Sequence, residues 1–405
     1  MTAGKVLFIV LDQLRADCVH GALSGHVPLP SIARLRSEGT TFARHYTVTT
    51  PCGPARASLL TGQYAMNHRA VRNGTPLAAH HTNIAKEARR GGYVPLLFGY
   101  TDSSPDPRQL DPEDPALCNY EGLMPGFDEV TAMRLDNDTT FGAYLKARGY
   151  DLPDDPAELY RPSGAPGDVM APALYRAEDS DTALLTNRTL EALDFQTGTD
   201  WFAHVTYIRP HPPLVAPAPF NRMFDPATLP NPDRTQENAA TIARHPYYDA
   251  FFSEPSNTGL YYGFDGRMGA MDMARAKELR ALYFGLTREV DDDIRREIVG
   301  DLRDQCVIFK HPLGHREMRV LQQHLVPALL QLDVIVVGHA VKAVDAEPFV
   351  EQELGKVETD EAGSAGDEDF SHGRIQYDKK NLFRARNILG FMAILTNDLG
   401  YSDRH

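Results

Sequence analysis

Three short stretches carry residue types that could do chemistry. The first is Thr50-Pro51-Cys52-Gly53-Pro54-Ala55-Arg56, a Cys-x-Pro-x-Arg pattern that leads into a helical segment. A nucleophile just before a helix N-terminus faces unpaired amide groups and the positive end of the helix dipole. A tetrahedral sulfate or phosphonate carries its negative charge there, and Arg56, one turn inside, can reach the same anion with a fixed fork of donors. The second is Val10-Leu11-Asp12-Gln13, where a carboxylate and an amide oxygen follow an apolar run. Such oxygens suit a hard divalent cation. The third is Arg209-Pro210-His211-Pro212-Pro213, a histidine on a rigid loop just after a strand, suited to proton transfer. Each admits a plainer reading: Cys52 as an unmodified turn cysteine, Asp12 as the cap of its turn, His211 as a packing or surface residue.

The elements that must position these residues alternate strand and helix, as a parallel sheet requires. Residues 5–11 form a continuous apolar strand of the kind buried on both faces, and ligands of open α/β sheets bind beyond the carboxyl ends of such strands. Residues 31–38 read as a helix stopped at Gly39, and residues 55–64 as a second. Thr82 is expected to cap a third, ended by Gly91 and Gly92. Residues 94–98 form a strand, Ser180 caps a helix over 181–195, and residues 201–208 form the next strand. Residues 102–178 and 212–270, rich in Pro, Asp and Gly, read as long excursions over the sheet edge. A long helix covers 273–301, with Leu279, Leu282, Leu286, Val290, Ile294 and Ile298 on one side. Short apolar strands are expected at 307–309 and 334–337, and a solvated acidic linker at 351–370.

Bulk properties narrow the class. A chain of 405 residues implies one large α/β domain and a smaller one, and 42% hydrophobic with 24% charged residues is ordinary for a globular protein. The net charge of −14 repels phosphate backbones, so no nucleic-acid partner is expected. No apolar run approaches the roughly 18 residues that span a bilayer, and the run 6–11 lacks the features of a signal peptide. A cytoplasmic protein without a membrane partner is the expectation, with room for a homo-oligomer. Cys18, Cys52, Cys118 and Cys306 are scattered, which argues against disulfides and a zinc knuckle.

Taken together, the motifs resemble the sulfatase branch of the alkaline phosphatase superfamily, in particular its phosphonate monoester hydrolases and related arylsulfatases. The resemblance runs in order through FIVLDQLRADC, TVTTPCGPARASLLTGQYAMNHRAVRNGTPL, LLFGYTDSSPDPR, YIRPHPPLVAPAP and LYFGLTREVDDDI, about residues 4–300. It implies an α/β fold with a mostly parallel sheet sandwiched by helices: a catalytic domain over 1–310 and an atypical C-terminal region over 311–405 that lacks the full C-terminal subdomain. It implies that Cys52 is converted to formylglycine by a formylglycine-generating enzyme. The aldehyde hydrates, one hydroxyl attacks sulfur or phosphorus, the alcohol leaves, and the second hydroxyl then expels the bound anion. Asp12, Gln13 and the modified Cys52 would hold one divalent metal ion, Ca²⁺ or Mn²⁺, and Arg56 would hold the formylglycine. Asn73 and Tyr100 would contact a small anionic ester substrate, and His211 would protonate the leaving group or bind the anion. Asn67 and His68 are expected to be structural.

The sequence also departs from that pattern. Asp102 stands where a threonine is expected and adds negative charge. The Asp-His metal ligands expected after the strand at 307–309 are replaced, in register with Gly314, by Pro312 and Leu313. His311, His315 and His339 are the substitutes within the sequence. Two functions therefore stand: metal-dependent hydrolysis of sulfate, phosphonate or phosphate esters, or a catalytically inactive relative that binds anions or partners.

Overall fold

The computed structural model describes residues 5–295 except 44, 136–138, 166, 197–199, 233–237, 254–261 and 263–265, together with 334–337. Five strands pair in the order β3-β2-β4-β1-β5: β1 (Val6–Leu11), β2 (Pro95–Gly99), β3 (Asp128–Ala132), β4 (Phe202–Tyr207) and β5 (Val334–Val337). All four pairings are parallel. The fold is thus the α/β sandwich expected, and the expected strand at 334–337 lies beside β1, with Val6 opposite Val334.

Side-chain alternation along the strands builds two cores. Leu7, Ile9 and Leu11 of β1, with Ala203, Val205 and Tyr207 of β4, pack on the face shared with the helices Asp181–Asp194 and Met273–Ile294. Val6, Phe8, Leu97 and Phe202 pack on the other, against Leu59 and Leu60 of the helix Cys52–Thr61 and Ala85 and Ala88 of the helix Ile84–Arg90. A strand buried on both faces must be apolar throughout, which is why β1 was legible.

Several boundaries differ from expectation. The second helix starts at Cys52 rather than at residue 55, with Pro51 as its N-cap residue, and stops at Gly62, whose φ of 68° is the left-handed region where glycine carries no steric penalty. Thr82 does not cap the next helix. Asn83 does, accepting from the Lys86 amide at 3.0 Å, while the Thr82 hydroxyl turns to Glu87. Ser180 does cap its helix, accepting from the Ala183 amide at 3.1 Å. The excursion 102–178 contains the edge strand β3, whose first three residues are exposed and give no apolar signal, and a helix at Thr139–Ala147. The excursion 212–270 contains short helices at Asn238–Ile242 and Pro246–Ser253. The long helix is described as Met273–Ile294. The strand expected at 307–309 and the linker at 351–370 lie outside the described residues.

Candidate active site

Three adjacent strands deliver the site. β1 ends at Leu11, paired with Tyr207 at the end of β4, and the Asp12 amide donates to the Tyr207 carbonyl at 3.0 Å. On the other side of β4, β2 ends at Gly99, so that Tyr100 and Asp102 emerge at the same edge. Gly99 has φ of 113°, and a Cβ there would sit 2.4 Å from the Thr206 carbonyl. Only glycine permits that approach, which brings Tyr100 up against β4. β4 runs on through Arg209 to His211, whose amide closes a turn onto the Ile208 carbonyl at 2.9 Å.

Cys52, half-buried, is the first residue of its helix. Asn73 clamps it: Nδ2 donates to Sγ at 3.1 Å, and Oδ1 accepts from the Gly53 amide at 2.9 Å. The Arg72–Thr75 turn fixes Asn73, with the Thr75 amide on the Arg72 carbonyl at 3.0 Å and the Arg72 amide on Thr75 Oγ1 at 3.2 Å.

Arg56, on the next turn, is the charge centre. Nη2 donates to Asp12 Oδ2 at 3.3 Å, Nη1 to Thr206 Oγ1 at 2.8 Å and to the Tyr100 carbonyl at 3.3 Å. Nε lies 3.2 Å from Asp102 Oδ2, and the guanidinium carbon stacks 4.2 Å from the Tyr100 ring centroid. The Tyr100 hydroxyl donates to Asp12 Oδ2. Asp102 had no assigned role in the sequence. The structure makes it a buried ion-pair partner of Arg56, in a left-handed conformation with φ of 48°. The negative charge that it adds shares the one Arg56 guanidinium with Asp12. Thr206 was likewise missed, its signal being a polar residue inside a strand that is otherwise packed on both faces.

The electrostatics follow from burial and from these partners. Burial pushes the Asp12 carboxyl up, but Arg56, His211 and the hydrogen bond from Tyr100 outweigh it, so Asp12 titrates below the ordinary carboxylate range. Asp102 moves the other way, to about 6, raised by burial and by the Asp12 charge against the opposing pull of Arg56. The Cys52 thiol is pushed up to about 12, first by burial and then by Asp102 and Asp12. His211 interacts electrostatically with both carboxylates. Its Nδ1 meets the Pro212 carbonyl, which only accepts, so Nδ1 carries the proton and Nε2 is the lone-pair nitrogen of the neutral ring.

The structure therefore brings together Asp12, Cys52, Arg56, Asn73, Tyr100 and His211. Gln13 follows Asp12 with φ of 58°. Its carbonyl accepts from the Tyr283 hydroxyl at 2.7 Å, and its side chain is exposed. His68 is buried and bonded to Ser58 at 2.8 Å, a structural role as expected. His311, Pro312, Leu313, His315 and His339 lie outside the described residues.

As a metal site, the donor chemistry suits a hard dication. Two buried carboxylates share one edge of the sheet, and Asp102 Oδ2 is a buried oxygen without a hydrogen bond. Among the described residues no group of three or more His, Cys, Asp or Glu side chains could hold a metal. The described part of the chain thus offers a partial coordination sphere.

Residues 5–305 match the family model described as Sulfatase, and the chain belongs to that family. It is 50% identical to the phosphonate monoester hydrolase SpPMH from Silicibacter pomeroyi, with a TM-score of 0.69 over 75% of this chain and 60% of that one. The phosphonate monoester hydrolase of Agrobacterium radiobacter is 36% identical, with a TM-score of 0.68 over 74% of this chain and 59% of that one. The multifunctional alkaline phosphatase superfamily protein PehA of Trinickia caryophylli is 37% identical over 329 residues, 78% of this chain and 64% of that protein. The chain thus spans about three-fifths of the length of these relatives.

Proposed function

We propose that this protein hydrolyses small anionic sulfate, phosphonate or phosphate esters, with Cys52 as the precursor of its nucleophile. The observation that carries this reading is the placement of Cys52 on the first helical turn, gripped by Asn73 and flanked by Arg56, Asp12 and Asp102. A thiol held near 12 is fully protonated at neutral pH and is a poor nucleophile. A modified side chain at this position would supply the nucleophile that the protonated thiol does not. Formylglycine would supply a geminal diol, and a divalent cation held by Asp12 would supply charge neutralisation beside it. Arg56 binds and orients: it sits over Tyr100 and presents cationic charge toward the nucleophile. Asn73 holds the nucleophile at Sγ. His211, whose Nδ1 meets the Pro212 carbonyl, presents Nε2 to the site; with both ring nitrogens protonated, Nε2–H would give its proton to the departing alkoxide and leave the ring neutral.

Support for the reading also comes from relatives that are named as phosphonate monoester hydrolases. The test is hydrolysis of aryl sulfates and aryl phosphonate monoesters by the chain co-produced with a formylglycine-generating enzyme, alongside Cys52→Ala. The expected result is a peptide mass for residue 52 that matches the aldehyde, and a loss of activity of about a thousandfold or more in the variant, as when a covalent nucleophile is removed. Equal rates in the variant would refute it. The second reading, an anion-binding protein without turnover, is favoured by the raised Cys52 thiol if residue 52 stays unmodified.

A further inference from the structure

We propose that Asp102 is a cation ligand: with Asp12 it forms a two-carboxylate seat for one hard divalent cation beside Cys52. The proposal concerns the site assigned above and rests on that reading for its purpose, though not for its geometry.

The placement comes from the sheet. Asp12 follows the end of β1 and Asp102 lies three residues past the end of β2, and both strands flank β4. Their carboxylates converge on one guanidinium, at 3.3 Å from Nη2 for Asp12 and 3.2 Å from Nε for Asp102. A charge-assisted N–H···O bond is ordinarily about 2.7–2.9 Å. Both contacts are longer, and Nη1 is occupied by Thr206 and the Tyr100 carbonyl. Arg56 is shared between two anions and satisfies neither closely.

The Asp102 side chain is 2% exposed, and its Oδ2 accepts no hydrogen bond. Leaving a carboxylate oxygen dry and undonated is costly. The local charge sharpens the point. Asp12 and Asp102 against Arg56 leave one net negative charge in a buried site that the proposed substrate, itself an anion, must enter. A dication between the carboxylates reverses that sign. Carboxylate oxygens are also the ligands that Ca²⁺, Mg²⁺ and Mn²⁺ prefer. The Tyr100 hydroxyl on Asp12 leaves that carboxylate's other oxygen to take a second partner.

The experiment is calorimetric titration of the full chain, stripped with chelator, with Ca²⁺ and with Mn²⁺. The variants are Asp102→Asn, Asp12→Asn and, as a control, Asp128→Asn, whose carboxylate is exposed on β3. One binding event is expected in the unaltered chain. Affinity should fall on the order of tenfold or more in Asp102→Asn and Asp12→Asn, at least what the loss of a supporting partner of a metal ligand costs, and should be unchanged in Asp128→Asn. Asp102→Ser serves as the second variant if Asp102→Asn does not fold by circular dichroism. Unchanged affinity on replacement of Asp102, with loss only on replacement of Asp12, would make Asp102 a counter-ion and overturn the proposal, as would an unaltered chain that binds neither ion. Tight metal binding without ester hydrolysis would refute the proposed function and leave this assignment standing.

Discussion

Arg56 and Arg209 are both sealed from solvent, at 4% and 1% exposure, yet they are held in opposite ways. Arg209 has one carboxylate at ion-pair distance, Asp181, whose Oδ2 lies 3.0 Å from both Nε and Nη2, and the buried Glu289 carboxyl acts on it electrostatically from farther away. Its Nη1 donates to the His211 and Pro213 carbonyls at 3.2 and 2.7 Å. The guanidinium lies 5.0 Å over the Tyr160 ring. This one side chain ties β4, the helix Asp181–Asp194 and the proline-rich loop together. Arg56 instead spreads its donors over two carboxylates, a hydroxyl and a carbonyl at longer range. The first arrangement is the tighter, with one carboxylate oxygen 3.0 Å from two nitrogens of one guanidinium. The second is open, with anionic capacity left over at the mouth of the sheet. Burial of an arginine thus does not by itself mark a functional site. The count and distance of its anions separate an internal brace from a place that accepts further charge.

The largest effect should come from breaking the tighter pair. Removing one partner of a buried ion pair strands the other charge, at about 3–5 kcal/mol. Asp181→Ala and Arg209→Met should each lower unfolding free energy by about that amount in urea titrations. Because Arg209 holds two carbonyls of the loop that carries His211, these variants should also weaken any hydrolysis that depends on His211. A loss of stability below about 1 kcal/mol would show that the brace is incidental.

Next comes Glu289, on the long helix in the same region. Its carboxyl is raised to about 8, chiefly by burial and then by the Asp181 and Asp293 charges, against Arg209 and an approach from Ser180 that satisfies neither oxygen. The folded value exceeds the unfolded one, so the protonated carboxyl favours the folded state. That contribution is complete below the unfolded value near 4.3 and is lost as pH rises through about 8. Glu289→Gln should therefore flatten the fall in melting temperature between about pH 5 and 8, an effect on the order of a few kcal/mol in the unaltered chain. Parallel profiles for the two proteins would refute it. A smaller step is Ser180→Ala, which deletes the cap of the helix that begins at Asp181 and should cost about 1 kcal/mol by the same urea measurement. No change in the urea midpoint would mean that the Asp181 pairing alone fixes that helix end.

The two regions were unequally legible in the sequence. Asp12, Cys52, Arg56 and His211 stood in local motifs at strand ends or at a helix start, where backbone geometry places a ligand edge, whereas Asn73 and Tyr100 were reached only through the resemblance to the sulfatase family. The brace of Asp181, Glu289 and Arg209 was missed because it is assembled from three segments far apart in sequence. It did leave a trace: Glu289 and Asp293 sit in the span of the long helix that carries Leu286, Val290 and Ile294, and both are buried there. A charge among core positions asks for a partner elsewhere. Strand β1 was plain because both its faces are buried, whereas β3 was invisible because its first three residues are exposed and need no apolar pattern. Thr82 was preferred as a cap over Asn83 although both side chains qualify. Which residue takes extended backbone is settled by the chain entering from the loop, and Asn83 also reaches across to the Pro125 carbonyl at 2.9 Å.

The smallest expected effect is the most discriminating between the two arginines. Asp102→Asn should change the stability of the metal-free chain by less than about 1 kcal/mol. Asparagine tolerates the left-handed backbone that residue 102 adopts, so the substitution adds little strain. Arg56 keeps Asp12, so no cation is stranded. The Asp102 carboxyl is raised to about 6 by burial and by its neighbour Asp12, so its ionised form opposes folding. By the same sign rule as for Glu289, what the protonated acid contributes is lost as pH rises through about 6. A neutral side chain should consequently be at least as stable as the native one at pH 8, and should match it near pH 4. Urea titrations at the two pH values measure this directly. A loss above about 2 kcal/mol at pH 8 would mean that Asp102 is as much a brace for Arg56 as Asp181 is for Arg209, and the contrast between an open and a tightly paired arginine would fail.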